Sequence, residues 1–596
     1  MIELLSGNAA IARGAYEAGV TVATGYPGTP STEILENLVQ HKEEVYCEWC
    51  PNEKVALEVA AGASYTGARV LVTMKHVGLN VAADPLMTLT YIGAVGGLVI
   101  VVGDDPGMHS SQNEQDTRHF ARFAKIPVLE PADSSEARDF VRLGLELSEQ
   151  YHTPVILRTT TRVSHSRSLV ELGDRKTTGR EIKFEKDPPR FVPIPLWARP
   201  MRVKVEERLK ALREAASTSP ANRLEWREKK LGIIACGIAY QYVREAFPEA
   251  SILKLGWCYP FPDALLRQFA AGVERLLVVE ELDDIVEEHV RSLGLACEGR
   301  NIVAGAGIGE LSPGRMYETR AKMEGRIYTV PTPPKEAADL PARPPVLCPG
   351  CPHRSVFHAL GQFDVIVTGD IGCYSLGVFK PLSRIDTILC MGGGVTLAHG
   401  MDKAGEKRKV VGIVGDSTFF HSGVTGLLNT VYNRGVSTII VVDNRTTAMT
   451  GHQDHPGTGK TLMGQVAPIA SIEEIGRACG IKRVRTIDPH DMAATVQAIK
   501  EELAAEEPSL IVSASPCVLH DKSAHGPHRA VDDEICKKCG LCLKLGCPAM
   551  EVKMVEGDKK GRLPEIQDML CAGCGMCEQV CKFGAISVCD STEDDI

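Results

Sequence analysis

"RKVVGIVGDS", residues 408 to 417, and "VSTIIVVDN", residues 436 to 444, decide how this chain folds. Both are apolar, rich in β-branched residues and free of polar alternation. Runs of that kind mark strands buried on both faces, which occur in parallel sheets covered by helices. Four more share the character: "GARVLVTM" (67–74), "GGLVIVVGDD" (96–105), "KKLGIIACG" (229–237) and "ERLLVVEE" (274–281). Helical patterns alternate with them, so the chain is predicted to be α/β, with three doubly wound parallel-sheet units.

A length of 596 residues allows three or four domains at about 150 residues each. Two proline-rich stretches read as linkers, "FEKDPPRFVPIPLWARP" (184–200) and "VPTPPKEAADLPARPP" (330–345), the second the stronger because repeated prolines hold a chain extended. They divide the sequence into segments 1–185, 200–330, 346–525 and 530–596. A hydrophobic content of 44% is ordinary for a globular protein, and no run reaches the roughly 18 apolar residues of a membrane span. The apolar run "YIGAVGGLVIVVG" (91–103) reads as a buried strand with its approach loop. The N-terminus lacks a basic leader with a small-residue cleavage site, so a cytoplasmic location is expected, where thiols stay reduced. A net charge of -10 argues against nucleic acid or an anionic membrane as the main partner. The acidic end "STEDDI" reads as a solvated tail.

Eight of the twenty cysteines crowd into the last segment. Cys536, Cys539, Cys542 and Cys547 follow C-x2-C-x2-C-x4-C-P, and Cys571, Cys574, Cys577 and Cys581 follow C-x2-C-x2-C-x3-C. Three thiolates two residues apart can wrap one face of an iron–sulfur cubane, while the last cysteine of each run reaches the other cluster. The expected ligand sets for two [4Fe–4S] clusters are therefore Cys536, Cys539, Cys542 and Cys581, and Cys571, Cys574, Cys577 and Cys547. A zinc ribbon uses cysteines in pairs and would leave the third of each run idle. The segment resembles a bacterial two-cluster ferredoxin domain of α+β type, apart from the longer last spacer of the first run and Lys582 in place of the usual proline. A cluster relay only moves electrons, so the chemistry must lie upstream.

The two opening strands end in "GDS" and "DN", which puts Asp416 and Asn444 at the carboxyl ends of neighbouring parallel strands, where open α/β sheets bind ligands. The helix expected over 419–435 could turn its N-terminus to a phosphate. A carboxylate, an amide oxygen and a nearby main-chain carbonyl, that of Thr446, are hard ligands suited to Mg2+ on a diphosphate. This arrangement, Gly415-Asp416-Ser417 followed by Asn444, resembles the thiamine diphosphate motif, with Ser417 in place of its last glycine. The resemblance assigns Met449 to the bulky position that bends the cofactor. It likens "MGGGVTLAHG" (391–400), with Gly392 and Gly393, to the glycine-rich helix start beneath it. It also makes Glu53, in "CEWCPNEKVALEVAAGAS", the glutamate that protonates the aminopyrimidine ring.

"TGYPGTPSTEI" (24–34) resembles the Tyr-Pro-x-Thr-Pro motif of the 2-oxoacid:ferredoxin oxidoreductases, which makes Thr29 the residue that contacts the substrate oxo group. "CPGCPHR" (348–354), "GDIGC" (369–373) and "SASPC" (513–517) resemble the loops that ligate a cluster beside the thiazolium in that family. They imply a third, proximal [4Fe–4S] cluster on Cys348, Cys351, Cys373 and Cys517. Cys47 and Cys50 have no second pair nearby and read as structural.

The resemblance covers essentially the whole chain. It implies two thiamine-diphosphate-binding-type domains (1–185 and 346–525), a transketolase C-terminal-type domain (200–330) and the ferredoxin-type domain (530–596). The implied reaction is oxidative decarboxylation of an arylpyruvate such as indole-3-pyruvate, with CoA as acyl acceptor and ferredoxin as electron acceptor. Implied too is a separate small subunit in an α2β2 heteromer. The same chemistry on another 2-oxoacid and a non-oxidative decarboxylase are the alternatives. Among the histidines near the cofactor loops, His353, His421, His452 and His455, with His76 further upstream, His421 and His452 are the expected substrate-facing ones.

Overall fold

The computed structural model describes residues 1–177, 179–329, 340, 344–554 and 562–589. Most of the proline-rich stretch 330–345 and the acidic end lie outside the described residues. The chain forms two compact units, Met1–Leu340 and Pro341–Ile596. All six apolar runs named above are strands.

The first unit is built on a seven-stranded sheet. Its order across the sheet is Trp257–Tyr259, Val128–Leu129, Val155–Thr160, Leu98–Asp104, Val70–Lys75, Val22–Gly25 and Tyr46–Trp49. The six strands from the N-terminal segment run parallel. The seventh, Trp257–Tyr259, comes from the segment after residue 200 and joins antiparallel at the edge. That segment also forms a four-stranded sheet ordered Leu276–Val279, Glu228–Cys236, Ala250–Leu255 and Arg223–Glu225, of which only the last is antiparallel. One apolar cluster runs from Val72, Ile100 and Val102 of the larger sheet to Ile234, Leu253 and Phe269 beside the smaller, so the two sheets share a core.

Buried ions cross the same junction. Arg158 donates to Asp104 at 2.7 Å and to Glu130 at 2.6 Å, and Arg118 reaches Asp116 at 2.6 Å and Glu280 at 2.7 Å. Both arginines are almost fully buried, so removing either leaves carboxylates without a counter-charge, a loss of about 3–5 kcal/mol. Glu130, Cys236 and Cys258 bring potential metal ligands together here. The guanidinium of Arg158 already sits on Glu130, and that of Arg118 lies 3.6 Å from Cys236 Sγ, so cations of the chain itself occupy the place.

Glu281 gives this unit a pH dependence. Burial pushes its carboxyl up to about 7 from 4.5, against the pull of a hydrogen bond from the Leu311 amide. A carboxyl raised on folding favours the folded state fully below the unfolded value and loses that contribution as pH climbs through the folded one. Glu281→Gln should therefore gain stability relative to wild type between pH 5 and pH 8, by about 3 kcal/mol at one pKa unit per 1.36 kcal/mol. Denaturant melts of the two proteins at both pH values check this; parallel pH profiles would refute it.

The second unit holds a six-stranded, wholly parallel sheet ordered Thr387–Ile388, Val365–Gly369, Lys409–Gly415, Thr438–Asp443, Ser509–Ala514 and Arg483–Ile487. The C-terminal segment adds two small antiparallel pairs, Arg529–Val531 with Ile586–Val588 and Met550–Met554 with Arg562–Ile566. Gln579 secures it to the larger part by accepting from the Met492 amide and donating to the His490 carbonyl.

Candidate active site and cluster sites

In the first unit Asn52 caps the helix Glu53–Tyr65, accepting from the Val55 amide at 2.9 Å, and so places Glu53 at the first helical position. Glu53 is buried, at an end where the helix dipole favours negative charge. The helix His76–Val81, after the strand Val70–Lys75, brings Gly78 against it, and a β-carbon at residue 78 would collide with the Glu53 carboxyl. His76 is buried beside this turn.

Thr29 lies in the half-buried loop between the strand Val22–Gly25 and the helix Thr32–Leu38. The loop is fixed from several sides. Asn8 donates to Pro30 O at 2.6 Å, the Gly28 amide donates to Thr32 Oγ1 at 2.9 Å, and Ser110 Oγ donates to Thr29 O at 3.4 Å. Lys75 packs beneath Gly28, donates to Ser110 O and Oγ, and is pushed down to about 8 by burial.

In the second unit four neighbouring strands end on one edge and deliver Asp370, Asp416, Asn444 and the turn leading to Cys517. Asp416 Oδ1 accepts from the Ser417 amide at 2.8 Å, and Oδ2 accepts from the Thr446 amide at 3.2 Å and pairs with His455 Nε2 at 3.1 Å. Burial opposes its ionisation, but the bond to His455 and that imidazole's charge hold it below the usual range. Asp443 beside it is pushed up to about 7 by burial and by the charge of Asp416. The buried Asp416 carboxyl and the half-buried one of Asp443 thus meet at one point, with a buried Thr446 hydroxyl that has no partner and the Asn444 amide close by. An acidic, oxygen-rich set of this kind fits a hard divalent cation.

Around it, the segment after Gly415 begins as a helical turn, Asp416–Thr418, passes through a π-helical turn, Phe419–Gly423, and continues as Val424–Tyr432. Such turns recur at functional sites. Gly392 is left-handed at φ 77° and closely faces Ser422 of that turn, while its amide donates to Asp370 at 2.6 Å. Gly393 opens the helix Gly393–Lys403. Met449 is half-exposed in the turn Ala448–Thr450, next to the Thr446 loop.

The histidines divide. His421 is buried and its Nδ1 lies 2.6 Å from Ser422 Oγ. His452 stacks on His520 at 5.2 Å. His455 is the one that meets Asp416, and buried His353 lies 3.5 Å from the Asn444 amide. Asp370, which sequence reasoning passed over, is buried with its carboxyl pushed far up, and it ties Gly392 to Tyr374. Its place in "GDIGC", at a strand end like Asp416, was the available signal.

The twelve cysteines gather in three places. Cys348 and Cys351 precede the helix His353–Leu360, Cys373 opens the turn Cys373–Val378, and the Cys517 amide donates to Asn444 O at 3.0 Å. These four thiols lie close enough that the charge of Cys517 bears on Cys348 and Cys373, and that of Cys373 on Cys351. Cys547, Cys571, Cys574 and Cys577 line one small cavity. Cys536, Cys539, Cys542 and Cys581 line another. Each cavity draws three cysteines from one run and the last from the other. Burial pushes Cys351 and Cys577 up to about 12 and Cys373 and Cys542 to about 11. Groups of four thiols, most of them partly buried, fit iron, whose positive charge offsets the cost of ionising them. Cys47 and Cys50 are buried in the first unit, Cys50 bonded to Glu48.

Residues 13–215 match the family "Pyruvate flavodoxin/ferredoxin oxidoreductase, thiamine diP-bdg", residues 370–513 the "Thiamine pyrophosphate enzyme, C-terminal TPP binding domain", and residues 564–587 the "4Fe-4S binding domain". Fold and sites together define an oxidoreductase that uses thiamine diphosphate and [4Fe–4S] clusters for 2-oxoacid:ferredoxin chemistry. Indolepyruvate oxidoreductase subunit IorA of Methanothermobacter marburgensis is 43% identical, over 98% of this chain and 96% of its own. The Pyrococcus horikoshii protein of the same name is also 43% identical with the same coverage. The chain belongs to the family of indolepyruvate oxidoreductase IorA subunits. A solved 2-oxoglutarate:ferredoxin oxidoreductase from Magnetococcus marinus aligns over 54% of this chain and 65% of its own, at 19% identity and a TM-score of 0.44. Among the described residues no helix is long and apolar enough to cross a membrane.

Proposed function

We propose that the chain is the large subunit of an enzyme that oxidatively decarboxylates an arylpyruvate, passing the acyl group to CoA and two electrons, one at a time, to ferredoxin. The observation that carries this reading is the common edge of the second unit's sheet, where the Asp416–Asn444 site and the Cys517 turn leave adjacent strands. A decarboxylase without redox output has no use for the cysteines, and an electron carrier has none for the acidic site. The aryl preference rests on the name carried by the relatives, and the separate small subunit on the word subunit in it.

Thiamine diphosphate, when bound, supplies the electron sink that lets carbon dioxide leave. Asp416, Asn444 and the Thr446 carbonyl would hold Mg2+ against the diphosphate, with His455 sharing the Asp416 carboxylate. Glu53 would hold a proton at the aminopyrimidine nitrogen. Thr29 would hydrogen-bond the substrate oxo group. Cys348, Cys351, Cys373 and Cys517 would hold the first iron–sulfur site and the two C-terminal sets the next two.

The test is CoA-dependent viologen reduction by the anaerobically purified chain with its small subunit, comparing indolepyruvate, phenylpyruvate, pyruvate and 2-oxoglutarate. Fast turnover of the two aryl substrates is expected. Turnover confined to the aliphatic acids would overturn the aryl assignment, and carbon dioxide release without dye reduction would replace the oxidative reading by the decarboxylase one.

A further inference from the structure

Arg354 closes the "CPGCPHR" loop, is 2% exposed, and spends its guanidinium on two separate loops. Nη2 donates to the carbonyls of Leu347 at 2.7 Å and Cys348 at 3.0 Å. Nη1 donates to the carbonyls of Leu545 and Gly546, both at 2.7 Å, immediately before Cys547. The middle of the Cys348–Cys351 loop also touches the other site directly. Gly350 lines the cavity of Cys547, Cys571, Cys574 and Cys577, and a β-carbon on it would collide with Ala572 and approach Cys574. By contrast, the cavity of Cys536, Cys539, Cys542 and Cys581 is lined by residues from Val531 onward and by none from the Arg354 region.

We propose that Arg354 is the positioning residue of the electron hand-off between the Cys348 site and the Cys547 site, tying their ligand loops together and favouring the reduced state of both with one buried positive charge. The inference rests on the reading above that these cysteines hold clusters. Each transfer oxidises the first site and reduces the second by one electron, with no bond broken and no proton moved. A reduced cluster carries one more negative charge than an oxidised one. A buried cation beside it, poorly screened by water, stabilises the reduced form and raises the potential. The charge of Arg354 reaches Cys348 and Cys351 on one side and Cys574 on the other. The Cys536 site, whose cavity has no lining from the Arg354 region, lies outside the reach of these bonds.

The test uses the anaerobic holoenzyme as wild type, Arg354→Gln and Arg354→Lys, with iron and sulfide content, redox titration followed by electron paramagnetic resonance, and the spin–spin splitting between reduced sites. Arg354→Gln should shift the reduction equilibrium of both neighbouring sites about tenfold towards the oxidised form, 59 mV for a one-electron couple. The Cys536 site should stay unmoved. Arg354→Lys, which keeps the charge but not the four bonds, should restore the potentials in large part while altering the splitting. Loss of iron confined to the two neighbouring sites would support the tie between the loops. Wild-type potentials in a fully loaded Arg354→Gln enzyme would overturn the proposal, as would loss of all three sites in both variants, the mark of a folding role. Cys348→Ser separates the two levels of inference. If it leaves iron and spectra unchanged, the cluster reading fails; if it removes one cluster while Arg354→Gln is silent, the role of Arg354 alone fails.

Discussion

Replacing Glu53 by Gln should lower decarboxylation by about 10²- to 10⁴-fold, the range expected when a positioned proton-transfer group is lost, while iron content stays at the wild-type level. The amide fills the same buried space at the helix start, so folding should be spared, but it cannot hold or accept the proton as a carboxylate does. Gly78→Ala reaches the same group from its neighbour. The added methyl would press on the Glu53 carboxyl, so turnover should fall with Glu53 chemically intact. Substrate-dependent carbon dioxide release, read beside iron analysis, checks both variants. Wild-type turnover in Glu53→Gln would remove that residue from the proton chemistry.

Cys574→Ala should stop ferredoxin reduction while thiamine diphosphate still binds. The thiol lines the cavity shared with Cys547, Cys571 and Cys577, and burial pushes it up, so the position suits a thiolate only where iron offsets its charge. Its loss should take one cluster's iron from the chain and break the path between the Cys348 site and the Cys536 site. Cofactor binding by calorimetry and ferredoxin reduction by absorbance separate the two effects. Undiminished reduction of ferredoxin would refute the relay.

Much of this was legible in the sequence because two of its signals are local. The strands Leu98–Asp104 and Lys409–Gly415 are buried along almost their whole length, so their runs carry no polar alternation to confuse with a helix. The cysteine spacing fixes which thiols share a cavity, because the reach of a short loop leaves few choices. Side-chain direction in loops is another matter. His455 sits well past Asn444 and meets Asp416 only because the chain turns back after Thr446, whereas His452, three residues earlier, is left-handed and stacks on His520. Arg354 looked like the end of a motif, since both of its loops had to be folded before its four carbonyl partners came together. Trp257–Tyr259 was too short a strand to announce itself, and its partner lies in a different segment of sequence.

That three-residue strand limits how the protein can be dissected. A fragment ending near residue 185 would leave the edge at Val128–Leu129 with unpaired backbone amides and carbonyls, and would strip Leu253 and Phe269 from the apolar cluster around Ile100. Bare sheet edges recruit other chains. The N-terminal segment is thus a poor candidate for separate expression, and cuts meant to yield soluble pieces belong beyond the four-stranded sheet.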